Sequence, residues 1–198
     1  MHFLVVLLQA GLCFFHTFIP SWGLSIILFT SAIRILFFPL QVFGIKQQRK
    51  LQKLKPEIEA LQNKFKNDSV TLVSERRRLM KRARVSPIWI FVASAIQLPI
   101  FISMYKVIRL NESLSLVHFA WLSNLAVPDP FMILPSLVAI VLWYQLRSSP
   151  KATTGAIGYV MPAISFAFMV SLPSAIVLYS LTGNVLQFLG QKVVDAYC

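Results

Sequence analysis

Acidic, cysteine, histidine and glycine residues are all scarce in this chain. Its 198 residues include seven Asp and Glu, three His, two Cys and seven Gly. Cys13 and Cys198 lie far apart in the sequence and predict no disulfide framework. The histidines are isolated from any cluster of Cys, Asp or Glu with metal-ligand spacing, and the glycines form no phosphate-binding loop. The sequence therefore predicts no metal, no cofactor and no catalytic residue, and it disfavours an enzyme.

Charged residues are also few, which excludes an ordinary soluble domain. They make up 13% of the chain, whereas soluble domains carry about a quarter. Apolar residues account for 57%, and the mean hydropathy is +0.69. The composition therefore predicts a polytopic membrane protein. No linker divides the hydrophobic segments, so we expect them to form one unit.

The hydrophobic segments predict an all-α integral membrane protein with five transmembrane helices. Residues 1–20 are expected to form an N-terminal interfacial helix, because the uncharged run before Pro20 is marginal in length for a span. A short sixth span is the alternative for this run. The five-span core is expected to cover 21–198 and to include a cytoplasmic helical hairpin over 44–86. The predicted spans are about 21–43, 87–108, 130–146, 155–170 and 174–191.

Positive charge is concentrated in one segment, which fixes the expected orientation. The segment 46–84 holds 13 of the 19 basic residues against four acidic ones, for a local net charge of +9. By the positive-inside rule, this segment faces the cytoplasm. Loop 147–154, which carries Arg147 and Lys151, is then inside, and loop 109–129 is outside. Five spans with the N-terminus outside and the C-terminus inside satisfy all three loops.

The basic segment has a helical pattern of its own. Pro56 should kink the first arm or begin a new turn there, and 67–69 reads as a turn and helix cap. A second helix is expected over 70–84. Two interpretations stay open: a solvated basic hairpin near anionic lipid headgroups, or a docking surface for RNA or an arriving polypeptide. The apolar stripe of the first arm consists of Leu51, Leu54, Ile58, Leu61 and Phe65.

Arg34 is the most informative single residue, because it interrupts an apolar run from Trp22 to Phe38. An arginine cannot lose its proton at physiological pH. Its cost at mid-bilayer is about 2.5–3.5 kcal/mol on insertion scales. Arg34 lies about ten residues from the nearer end of the predicted span, too far to reach the headgroups easily. The sequence therefore predicts water or a polar partner around it, inside a cavity within the membrane.

Five short segments occur in an order typical of a known family. They are Trp22–Ile27 followed by Arg34 and Pro39-Leu40, then Leu51–Ile58, Ile96–Phe101, Asp129–Pro135 and Leu172–Tyr179. In that order they resemble the first core span, the beginning of the cytoplasmic hairpin, and the second, third and fifth core spans of the YidC/Oxa membrane protein insertases. The resemblance covers nearly the whole chain from about residue 19.

This resemblance implies a hydrophilic groove, open to the cytoplasm and to lipid, that accepts the polar tail of an inserting protein. The groove arginine would be Arg34, and the apolar segment would leave sideways into lipid. Other groove residues are expected by position. Thr30 lies one turn before Arg34 on the same helix face, and Tyr179 falls at the tyrosine of the family's fifth-span signature. The remaining candidates are Gln97, Ser180 and Asn184.

Less specific interpretations stay open for several of these residues. Thr30 and Ser180 could serve ordinary helix packing, and Gln97 an interhelical hydrogen bond. Two other functions also remain. The chain could be a small channel or transporter that uses Arg34 as an anion site, or a structural assembly factor that acts through its basic hairpin.

Partners and location follow from the resemblance. It implies an insertase and chaperone whose partners are nascent membrane proteins. The ribosome could bind through hairpin 44–86 or loop 147–154, and anionic lipids and the Sec translocon are further expected partners. The expected location is the bacterial plasma or inner membrane, because the chain begins without a transit-like sequence. The mitochondrial inner membrane is the alternative.

Overall fold

A computed structural model describes residues 2–66, 68–86, 97–111, 114, 118–148 and 157–197. Within these residues the regular secondary structure is helical, and Phe119 and Leu122 form an isolated antiparallel bridge. The all-α prediction is therefore confirmed. The described helices are α1 (His2–Phe18), α2 (Trp22–Leu36), α3 (Phe38–Lys64), α4 (Ser69–Arg82), α5 (Gln97–Leu110), α6 (Ile133–Ser148), α7 (Ile157–Val170) and α8 (Ser174–Tyr197).

The chain divides into two compact units. The first, which we call the bundle, comprises Met1–Phe38 and Leu98–Cys198, and the second, the hairpin unit, is Pro39–Gln97. In the bundle, α8 packs against both α2 and α6, while α6 also packs against α7, and α1 lies against α2. The first turns of α8 are buried without interruption over 174–179. A helix segment that is buried all round occupies the centre of its domain, so the beginning of α8 lies in the core of the bundle.

The loop before α6 fixes the beginnings of two helices. Asp129 is 5% exposed, and its carboxylate accepts hydrogen bonds from the backbone N–H groups of Phe131 (3.1 Å) and Leu134 (2.8 Å) and from the indole Nε1 of Trp121 (3.3 Å). An acid at this position satisfies N–H groups that have no partner in the first turn of a helix. The Ser174 hydroxyl donates to the carbonyl of Val127 at 2.7 Å. The loop thereby anchors both α6 and α8.

The first predicted span, about 21–43, is divided between two helices. Helix α2 ends at Leu36, Phe37 is a turn residue, and α3 begins at Phe38. Pro39 explains the break, because a proline has no N–H to donate to the preceding turn and is tolerated in the first turn of a helix. Helix α3 then continues without interruption to Lys64, through Pro56.

The hairpin unit contains two successive helices, α3 and α4, where the basic segment predicts helices. Asp68 caps α4, with the Thr71 backbone N–H donating to its Oδ1 at 3.0 Å. At the other end of the unit, the Ser86 backbone N–H donates to Oε1 of Gln47 at 3.2 Å, which joins the two arms. Ile58 of the predicted apolar stripe is buried, and its other members are half-buried. Hydrogen bonds from Thr71, foremost from its side chain and then from its backbone, hold the pKa of Asp68 below the ordinary value of 3.8.

The remaining predicted helices are found close to their expected positions. Helix α1 lies within the helix predicted over 1–20, and α6, α7 and α8 begin within three residues of the predicted spans. The first half of the second predicted span, 87–96, lies outside the described residues. Among the described helices, none alone is long and apolar enough to cross a bilayer, while α2 and α3 meet that requirement together as a bent pair. The count of five spans and the orientation stay predictions.

Candidate functional site

Arg34 lies in the last turn of α2, two residues before the helix ends at Leu36, and its side chain is half-buried. The carbonyl groups at a helix C-terminus carry partial negative charge, so a cation in the last turn is stabilised there. The break at Phe37 therefore gives the guanidinium a favourable environment that a continuous helix would not provide.

The guanidinium of Arg34 occupies the space above Gly183 on α8. A methyl group built at Gly183 would stand 2.7 Å from Nη2 of Arg34, 3.2 Å from Nε and 3.3 Å from Cζ. Real side-chain carbons do not approach other atoms as closely as the first of these distances. Glycine at position 183 therefore allows the guanidinium to lie directly on the backbone of α8.

Tyr179 lies one turn before Gly183 on the same face of α8. It is buried and lies near Arg34. The structure thus brings together two of the predicted site residues, Arg34 and Tyr179, across the contact between α2 and α8.

No carboxylate of the bundle with a described side chain neutralises Arg34. Asp129 is the only such carboxylate, and its oxygens accept the three hydrogen bonds of the loop before α6. A guanidinium has five N–H donors and no acceptor. It can therefore bind an anionic or carbonyl-bearing group presented to it.

Thr30 and Ser180 differ in how their hydroxyl groups are used. The Thr30 hydroxyl is buried and donates to the carbonyl of Ile26 at 2.6 Å, the common bond of a threonine to its own helix. The Ser180 Oγ is buried and has no hydrogen-bond partner among the described residues. A buried hydroxyl without a partner costs free energy, so Ser180 marks a place where water or a polar ligand would be stabilised.

Asn184 is placed less directly at the site. The backbone carbonyl of Asn184 accepts a hydrogen bond from Nε2 of Gln145 at 2.7 Å, which links α8 to α6. Gln97 is the first residue of α5, and its side chain lies outside the described part of the chain. The groove role of Gln97 therefore stays a prediction.

Sequence reasoning missed Gly183 and Gln145, although each carried a signal. Gly183 follows Tyr179 by one helical turn within a predicted span, where a glycine permits close approach of a neighbour. Gln145 is a polar residue near the end of an otherwise apolar predicted span. Both patterns allow several interpretations until the neighbouring helix is known.

Residues 14–198 match the family model described as 60Kd inner membrane protein. The chain is similar to the membrane protein insertase YidC of Nitrosospira multiformis, with 33% identity over 184 residues, covering 91% of this chain and 32% of that protein. It is equally similar to the insertase YidC of Francisella philomiragia, with 33% identity over 186 residues, covering 92% of this chain and 34% of that protein. The chain thus spans about a third of the length of the curated relatives it matches.

A solved structure agrees with the sequence matches. The crystal structure of an active YidC insertase with its first transmembrane domain resolved aligns with a TM-score of 0.72 and 26% identity, covering 93% of this chain and 44% of that chain. Fold and sequence agree over almost the whole length of this protein. The chain therefore belongs to the YidC/Oxa family of inner-membrane proteins.

Proposed function

We propose that this chain is a membrane protein insertase and chaperone in which Arg34 receives the polar tail of a substrate within the membrane. The observation that carries the proposal is the position of the Arg34 guanidinium, which extends from α2 onto α8 beside Tyr179. No bundle carboxylate with a described side chain neutralises it. The relatives named as insertases support the same activity.

The mechanism requires no covalent chemistry. A hydrophilic tail crosses a bilayer slowly because its polar groups lose water without gaining other partners. A fixed guanidinium, with water around it, replaces part of that hydration and attracts acidic groups, since attraction between charges strengthens as the surroundings become less polar. Tyr179 and the Ser180 hydroxyl would extend the polar surface along α8.

The apolar part of the substrate would leave through the lipid-facing side of the bundle. Exposed apolar side chains are present on α6 and α7, including Ile140, Ile164 and Phe168, and these would contact lipid. We place residues 1–20, which include α1, at the interface, before a five-span core over 21–198 with the N-terminus outside. The hairpin over 44–86 would lie in the cytoplasm, where its positive charge could contact ribosomal RNA or anionic lipids. The Sec translocon is a further candidate partner.

The test compares substrates with acidic and neutral N-terminal tails. In proteoliposomes, Arg34→Ala should lower insertion of the acidic-tailed substrate on the order of tenfold, the value of a lost charge-assisted hydrogen bond. Arg34→Lys should retain part of the activity, because it keeps the charge but loses the planar donor array.

Arg109→Ala is the matched control, because Arg109 is an exposed arginine of the bundle at the end of α5. It should leave insertion unchanged. Equal insertion by wild type and Arg34→Ala would remove the arginine from the mechanism. A saturable solute flux without insertion would instead favour a channel or transporter.

A further inference from the structure

A second arginine of the bundle, Arg147, lies in an aromatic setting at the end of α6. Its guanidinium carbon lies 4.8 Å from the ring centroid of Trp143 and 5.4 Å from that of Tyr159 on α7. Its Nη2 donates a hydrogen bond to the Tyr159 hydroxyl. These contacts hold the guanidinium at the surface between α6 and α7, with most of its donors directed at no described protein group.

The residues on this side of α6 change from apolar to cationic along one stripe. Ile140, Trp143 and Arg147 are spaced three and four apart, so they share one helix face. Ile140 is 58% exposed, Trp143 is 36% exposed, and Arg147 is exposed. The stripe therefore presents an apolar surface, then an amphipathic ring, then a positive charge. In that order these groups complement the acyl chain, the interfacial region and the phosphate of a phospholipid.

The aromatic layer continues on the neighbouring side of α6. Tyr144 meets Phe188 of α8 edge to face, with 5.2 Å between ring centroids. Lys192 places its Nζ 5.6 Å from the Phe188 ring. Aromatic rings accompanied by cations at one end of several helices mark the depth of lipid headgroups.

The two cations at this end, Arg147 and Lys192, can bind an anion. Among the described side chains of the bundle, neither Arg147 nor Lys192 has a carboxylate within ion-pairing distance. Arginine presents a planar array of donors that matches two oxygens of a phosphate. A free anion would use the positive charge alone, whereas an anionic phospholipid also covers the exposed apolar part of the stripe.

We infer that Arg147, with Trp143 and Ile140 on α6, forms a binding site for an anionic phospholipid, the phosphate bound by the guanidinium and an acyl chain lying along α6. This site is distinct from Arg34 and does not depend on insertase activity. It requires only that the chain lies in a membrane, as an inner-membrane protein does.

The experiment is native mass spectrometry of the full chain in mild detergent, titrated separately with phosphatidylglycerol and phosphatidylcholine. The wild-type chain should retain phosphatidylglycerol in preference to phosphatidylcholine. Arg147→Gln should lower that retention roughly fivefold, as expected for one cation at a membrane surface. Arg147→Lys should retain more of the binding than Arg147→Gln, because it keeps the charge but loses the planar donor array.

Arg109→Gln is the matched control, because Arg109 also lies over a tyrosine ring near a helix end, with 5.5 Å to Tyr105. It should bind phosphatidylglycerol as wild type does. The inference is overturned if Arg147→Gln binds like wild type, if Arg109→Gln loses as much, or if millimolar inorganic phosphate displaces the lipid. The last result would indicate a soluble-anion site.

Discussion

The guanidinium of Arg34 and the backbone of Gly183 are in direct contact, since a single added carbon at position 183 would stand 2.7 Å from Nη2. The contact joins α2 to α8 and places the charge beside Tyr179. The position of Arg34 is therefore determined as much by the absence of a side chain on α8 as by α2 itself.

Gly183→Ala should displace the guanidinium without removing it. We expect a several-fold loss of insertion of acidic-tailed substrates, because the far end of a flexible side chain moves more readily than the backbone. The decisive measurement is a double-mutant cycle with Arg34→Ala. Gly183→Ala should have little further effect once the arginine is gone. Additive losses would mean that Gly183 acts through helix packing and not through Arg34.

Gly23→Ala should destabilise the bundle, because a methyl group at Gly23 would overlap the ring of Phe119. Overpacking of a filled core costs about 1–3 kcal/mol, measurable as a lower midpoint of thermal unfolding in detergent. Phe119→Leu should recover part of this loss in the double mutant by making room for the methyl group. A double mutant less stable than either single mutant would show that the clash is relieved elsewhere.

Asp129→Ala should be among the most destabilising substitutions in the bundle. It leaves the backbone N–H groups of Phe131 and Leu134 and the indole of Trp121 without their acceptor. Lost hydrogen bonds to a charged group predict a cost of about 2–4 kcal/mol. Asp129→Asn keeps one acceptor oxygen and should cost less. Circular dichroism during chemical unfolding measures both, and equal stability of Ala, Asn and wild type would contradict the capping role.

Acidification should loosen the first turn of α4. Hydrogen bonds from Thr71 lower the pKa of Asp68 in the folded chain. This carboxylate therefore stabilises the folded state at pH values above 3.8, its ordinary pKa. The contribution is lost as pH falls through the lower, folded pKa. Hydrogen exchange of the α4 amides, corrected for intrinsic rates, should show protection falling in that window. Asp68→Asn keeps the cap without titrating, so a pH step that persists in this variant would assign the loosening to another group.

The helices and the cap at Asp68 could be predicted because their causes are local. Apolar runs, the 3–4 spacing of Leu51 to Phe65, and a short polar residue before a helix all act within a few residues. The break at Phe37 was also local, since Pro39 was visible, but the long apolar run around it favoured one span. The helix break therefore required the structure to locate it.

The site depended on contacts between distant segments, which the sequence does not order. Arg34 was identified from its own cost in an apolar run, and Tyr179 from a family motif. The proximity of Arg34 and Tyr179, and the role of Gly183, depend on how α2 packs against α8. The partner of Gln145 on α8 could not be found for the same reason.

The beginning of α8 is buried over 174–179 and is held to the loop before α6 by three hydrogen bonds, from the Ser174 N–H and hydroxyl to Val127 and from the Ala175 N–H to Leu125. This constraint has an entropic consequence. A helix held so firmly at its beginning has little backbone freedom left to lose when a ligand arrives at Arg34, so ordering of α8 adds little entropic cost to binding. Under the proposed function, the ordering cost falls on the incoming tail. Selection among tails would then follow their charge, length and flexibility more than their residue order.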